Sequence, residues 1–127
     1  MHLHQFRQVA LTSRASALLE ALAERVVIAD GAMGTMLQDA KPSLEDFEGH
    51  EGSNEVLNVT RPDLVLGVHN AYFETGIDCV ETNTFGANWS NLSDYGIDDR
   101  IEELAREGAK LARQSAEEFE AKDGRMR

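Results

Sequence analysis

A chain of 127 residues, 42% hydrophobic and 28% charged, has the composition of a soluble globular protein and room for one domain at most. Its formal net charge of -11 argues against nucleic acid or an anionic membrane surface as a partner, since either needs a basic face. A single cysteine excludes a disulfide framework, and no apolar run nears the roughly 20 residues of a membrane span, so the reading is cytoplasmic.

Residues 1–12 carry no usable periodicity and read as a flexible leader, with a domain over residues 13–127. His2 and His4 have the spacing of a metal clip but no further ligands beside them. From Thr12 or Ser13, either a good N-cap, a helix is predicted to about Glu24, with Ala15, Leu18, Leu19 and Leu22 on one face. It would cap the bottom of a sheet or barrel. Val26–Ala29, four apolar residues with three β-branched, predicts a short parallel strand buried on both faces. That strand ends on Asp30, followed by Gly31 and Gly34, which let backbone N–H groups approach a ligand closely.

Asp39–Asn58, with Pro42, Gly49 and Gly52, reads as a long connection without regular structure over the same sheet edge. Either it folds over a site or it wanders on the surface. Thr60-Arg61-Pro62-Asp63 predicts a helix start capped by Thr60, and Leu64, Val65, Val68, Ala71 and Tyr72 form its apolar stripe. His69 borders the stripe and reads as a surface or half-buried side chain rather than a catalytic one. Gly76 supplies the left-handed end, and Ile77–Thr82 is the second strand. A short helical piece over Asn88–Tyr95 precedes a last helix capped by Asp98 or Asp99. Ile101, Leu104, Ala105, Gly108, Leu111, Ala112 and Phe119 mark its stripe, and Ala121–Arg127 reads as loop. The fold class is α/β.

A strand, helix, strand order implies a right-handed crossover, which brings both polar strand ends to one edge of a parallel pair. Asp30, Glu81, Asn83 and Thr84 would converge there beside the backbone of Gly31–Gly34. A carboxylate with free backbone donors suits a zwitterion, the acid taking an ammonium and the N–H groups a carboxylate. The same residues also allow a purely structural role, Asp30 capping its turn and Glu81 pairing internally. The glycine spacing matches neither a P-loop nor a dinucleotide fingerprint, and no zinc spacing is present.

Five segments in order then resemble one family: Asp30-Gly31-Ala32-Met33-Gly34-Thr35, Glu51-Gly52-Ser53-Asn54-Glu55, Asn58-Val59-Thr60-Arg61-Pro62-Asp63, His69-Asn70-Ala71-Tyr72-Phe73 and Glu81-Thr82-Asn83-Thr84-Phe85-Gly86. Together they resemble the start of the homocysteine S-methyltransferase family, and in particular the N-terminal homocysteine-binding module of its cobalamin-dependent methionine-synthase branch. The resemblance implies the opening β/α units of a (β/α)8 TIM barrel, incomplete in this chain. It implies homocysteine as substrate, with zinc holding its thiolate and methylcobalamin giving the methyl group. Asp30, Gly31, Ala32 and Thr84 would hold the amino-acid end of homocysteine, supported by Glu81 and Asn83. The family's three zinc-ligating cysteines lie on later strands, and Cys79 matches none of them. The expectation is therefore a substrate-holding fragment, inactive alone and with neither zinc nor cobalamin tightly bound. It would associate with the rest of a barrel or with itself. The rival expectation is a non-catalytic fragment or remnant that docks on another barrel.

Overall fold

The computed structural model describes residues 12–127, so His2, His4 and all but the last residue of the expected leader lie outside the described part. The described residues are mostly helical. They comprise α1 (Ser13–Glu24), α2 (Gly34–Asp39), a 3-10 turn (Asn54–Val56) running into α3 (Leu57–Thr60), α4 (Pro62–Glu74), α5 (Trp89–Asp94), a 3-10 turn (Asp98–Arg100) and α6 (Ile101–Asp123).

The long α6 is the spine. Its stripe passes three apolar clusters in turn: Leu104 with Val56, Leu92 and Ile97; Leu111 with Leu37, Phe47, Leu57, Val65 and Val68; and Ala116 and Phe119 with Phe73 and Ile77. Helix α4 lies against it, packed in turn on α3 and α2. Helix α6 continues to Asp123 and stops at Gly124, where φ reaches 72°, so the loop expected from Ala121 begins three residues later. Acidic residues open α6 and Lys122 closes it, in the sense the helix dipole favours. Its first residue follows Arg100, not a capping aspartate.

The two expected strands require correction. No strand forms among the described residues; Val26–Ala29 and Ile77–Thr82 meet at one isolated parallel bridge, Ala29 to Cys79. Ile28 O accepts from the Asp78 and Cys79 amides at 2.9 and 3.3 Å. The parallel sense follows from the crossover through α4, as the order of elements implies. The burial on both faces does not hold, because Val26 is 82% exposed and Ile28 55%. A strand is buried and extended by its neighbours, and among the described residues no further strand flanks this pair.

Asp78 holds the register instead. Its carboxylate accepts from the Ile28 amide at 2.8 Å, from both Arg25 guanidinium nitrogens at 2.9 and 3.0 Å, and from Arg125 at 2.9 Å. Those donors, Arg25 first, hold its pKa down at about 2.

Elsewhere local chemistry and packing part company. Thr12 caps α1 as expected, accepting from Ala15 N at 3.2 Å, but α1 buries none of its residues and its three leucines stay exposed. Thr60 does not cap α4. It ends α3, and its hydroxyl turns back to donate to the carbonyl oxygens of Asp46 and Val56. The connection from Asp39 is not featureless, for Phe47, Ser53, Glu55, Val56, Leu57 and Asn58 are all buried. His69 is completely buried, contrary to its reading as surface or half-buried, because α4 is covered on that side as well. No helix among the described residues is long and apolar enough to cross a membrane.

Candidate functional site

Past the Ala29–Cys79 bridge the two segments run out side by side, and the Glu81 amide donates to Asp30 Oδ1 at 3.0 Å. The Gly31–Ala32 turn is braced from beneath by α4. Tyr72 donates its hydroxyl to Ala32 O at 2.9 Å, and a Cβ on Gly31 would lie only 3.1 Å from that hydroxyl oxygen. A Cβ on Gly31 would thus press on the tip of the Tyr72 side chain, which would have to give by a few tenths of an ångström.

These exits open into a cavity of about 440 Å³. Five of the six expected site residues line it: Asp30, Gly31, Ala32, Glu81 and Asn83. Thr84 does not. Its hydroxyl lies 2.6 Å from that of Thr82, and its methyl group faces Gly108 of α6. Thr82, which the sequence reading left without a role, lines the cavity in its place.

Asn83 is held rigidly. Its amide nitrogen donates to Asn54 O at 3.0 Å and Asn58 Oδ1 at 2.9 Å, while Asn58 donates to Asn83 O at 2.8 Å and Leu104 O at 3.1 Å. This buried amide pair ties the site edge to α3 and α6, and its polar atoms are matched to one another. Helix α6 can come this close only because position 108 is glycine. A Cβ there would sit 2.7 Å from Asn58 Nδ2 and 2.8 Å from Thr84 Cγ2.

The long connection supplies two further walls, Asn54 and Glu55. Glu55 is buried and accepts the Gly86 amide on Oε1 at 2.7 Å. Read from the sequence alone, Glu55 has no role. The available signal was its place directly after Ser53-Asn54 in one of the five segments quoted for the family resemblance. Of the two fates left open for that connection, it packs into the wall of the site.

The cavity thus has carboxylates from Asp30, Glu55 and Glu81 and, among the described residues, no lysine, arginine or histidine in its lining. Among the described residues, the amides of Gly31, Ala32 and Met33 find no backbone acceptor. Negative side chains beside free N–H donors complement an ammonium and a carboxylate on one small molecule.

The family model for homocysteine S-methyltransferase matches residues 27–126, which include the whole cavity wall from Asp30 to Phe85. The chain belongs to that family. Over 106 residues it is 57% identical to a methionine synthase of Mycobacterium leprae (strain TN) and 55% identical to one of Mycobacterium tuberculosis (strain ATCC 25618 / H37Rv). Each match covers 84% of this chain and 9% of the relative, so the chain spans about a tenth of the length of these curated relatives.

The zinc implied by kinship with homocysteine S-methyltransferases does not fit the residues described here. No group of three or more His, Cys, Asp or Glu side chains among them could hold a metal ion. The sole cysteine, Cys79, sits 3.9 Å from Ile28 O, and burial, with Asp78, Asp30 and Glu81 nearby, pushes its thiol pKa up. A zinc ligand needs the opposite shift, toward thiolate. A cavity of about 440 Å³ is also far too small to enclose a corrinoid.

Proposed function

We propose that the chain is the N-terminal, homocysteine-holding edge of a methionine-synthase-type homocysteine S-methyltransferase, contributing to methyl transfer from a donor to homocysteine to give methionine. The single observation that carries the reading is the junction of Asp30 with the Glu81 amide at the mouth of an acidic cavity. In this reading the free oxygen of Asp30 takes the substrate ammonium, with Glu81 beside it. The amides of Gly31 and Ala32 take the substrate carboxylate, and Asn83 keeps the edge in place. Thr84 then acts on the site through Thr82, its hydroxyl partner, and not by contact.

The two segments that meet at Ala29 and Cys79 are, in the same reading, the first two strands of a (β/α)8 barrel. The exposure of Val26 and Ile28 supports it, since such an edge is covered in a barrel by further strands. Zinc would keep the homocysteine sulfur as thiolate and methylcobalamin would supply the methyl group, both held by residues other than these. The same exposed edge supports a second reading, in which the chain is a non-catalytic piece that docks on another barrel.

Titrating the isotopically labelled 127-residue chain with L-homocysteine under reducing conditions, observed by amide NMR, tests the primary reading. Shifts confined to the cavity lining, Asp30–Gly34, Asn54–Glu55, Glu81–Asn83 and Phe85, are expected. Shifts elsewhere, or none at millimolar ligand, would leave the docking reading in possession.

A further inference from the structure

Phe85 lines the cavity and is yet fully exposed, at 100%. Single exposed apolar residues are common and need no explanation by themselves. This one differs in how firmly the chain on either side of it is held. Two residues before it, Asn83 is buried in the amide pair with Asn58. Directly after it, the Gly86 amide is bound to buried Glu55 at 2.7 Å, and Gly86 O accepts from Asn91 Nδ2 at 3.0 Å. The Phe85 carbonyl itself accepts from Asn88 Nδ2 at 3.1 Å. A Cβ on Gly86 would fall 2.4 Å from Asn91 and 2.8 Å from Glu55, so the main chain has no slack there. The ring can move only by rotation about its own side-chain torsions, which costs little and is fast.

The polar wall of the cavity is committed to one end of a ligand. Asp30, Glu81 and the Gly31–Ala32 amides address a charged amino-acid head, and none of them gains from an apolar tail. Met33 and Phe85 are the lining side chains that do.

We propose that Phe85 is a specificity-determining residue, whose ring turns over the cavity mouth and covers the methylene and sulfur portion of the bound amino acid. The inference rests on the reading of the cavity as a homocysteine site. Closing the ring over the ligand removes two apolar surfaces from water at once, and no loop has to move.

The test uses the whole chain in three forms, wild type, Phe85→Ala and Phe85→Leu, with L-homocysteine as probe. Wild type should show NOEs between the Phe85 ring and the ligand methylene protons. Phe85→Ala should bind about tenfold more weakly, and Phe85→Leu should recover part of the loss. Binding by wild type without ring NOEs, or with equal affinity in Phe85→Ala, would overturn the role of Phe85 and leave the homocysteine reading standing. No binding by wild type would overturn both. Should Phe85→Ala fail to fold, the NOEs in the wild-type chain still decide.

Discussion

The Glu81 amide donates to Asp30 Oδ1 at 3.0 Å across a separation of 51 residues, and this bond closes the exits of the two segments into one edge. It also divides the labour of the Asp30 carboxylate. One oxygen accepts from the Glu81 amide, and the other has no hydrogen-bond partner among the described residues.

The two tasks separate by mutation. Asp30→Asn keeps an oxygen for the Glu81 amide and removes the charge, so stability should stay near that of wild type. Homocysteine affinity should fall roughly tenfold to a hundredfold, the worth of a hydrogen bond to a charged group. Asp30→Ala should show the same loss and unfold about 1 kcal/mol more readily. Paired urea melts and ligand titrations measure both, and undiminished affinity in Asp30→Asn would remove the carboxylate from the ligand contact.

Two helical glycines should respond in opposite directions to the same change. Gly108→Ala forces a methyl group against Asn58, Thr84 and the Asn83 carbonyl, at 2.7 to 3.1 Å, and should cost about 1–3 kcal/mol. Gly67 lies in α4 with nothing within 4 Å of a new Cβ, so Gly67→Ala should stabilise by up to about 1 kcal/mol. Denaturation midpoints of the two variants check the pair. A neutral Gly108→Ala would show that α6 can shift away from the buried amides.

His69 predicts a pH dependence. Neither ring nitrogen has a partner among the described residues, and burial pushes the imidazole from 6.5 down to about 4. Below pH 6.5 the unfolded chain takes up a proton that the folded chain refuses, so stability should fall as pH drops from 6.5 toward 4 and then cease to fall on this account. His69→Leu should flatten that window and raise stability at its acid end. Urea midpoints followed across it will show the difference, and parallel curves for the two proteins would mean that His69 is not the group responsible.

The uncovered edge at Val26 and Ile28 should drive association. Sizing at increasing concentration is expected to show oligomers despite the net charge of -11. Val26→Lys with Ile28→Lys should return the chain toward monomer. A wild-type chain that runs as a monomer throughout would show that the bridge and the Asp78 clamp are enough to close the edge.

Much of this molecule is legible in local chemistry. Thr12, Pro62, Gly76 and Gly96 punctuate the helices where short-range rules put them, since capping and left-handed backbone depend only on near neighbours. The α6 stripe could be read for the same reason, as a period of 3.6 needs no knowledge of what covers it. The adjacency of Asp30 and Glu81 followed from connectivity, because a crossover helix leaves two parallel segments little choice.

By itself the sequence determined helices α1, α4, α5 and α6, the family, and the edge on which Asp30, Gly31, Ala32 and Glu81 meet. Only the tertiary structure decided that Glu55 would turn inward to bind Gly86, that Asn83 would pair with Asn58, that Thr84 would face α6 while Thr82 faces the cavity, and that His69 would be sealed in. Each of those outcomes depends on a residue distant in the sequence, Gly86 for Glu55, Asn58 for Asn83 and Gly108 for Thr84, or on packing from another element, which no local window contains. The two β-branched runs failed as strands for the same reason. Their composition is that of a buried parallel sheet, but a strand exists through its neighbours, and the described residues supply each with one point of pairing.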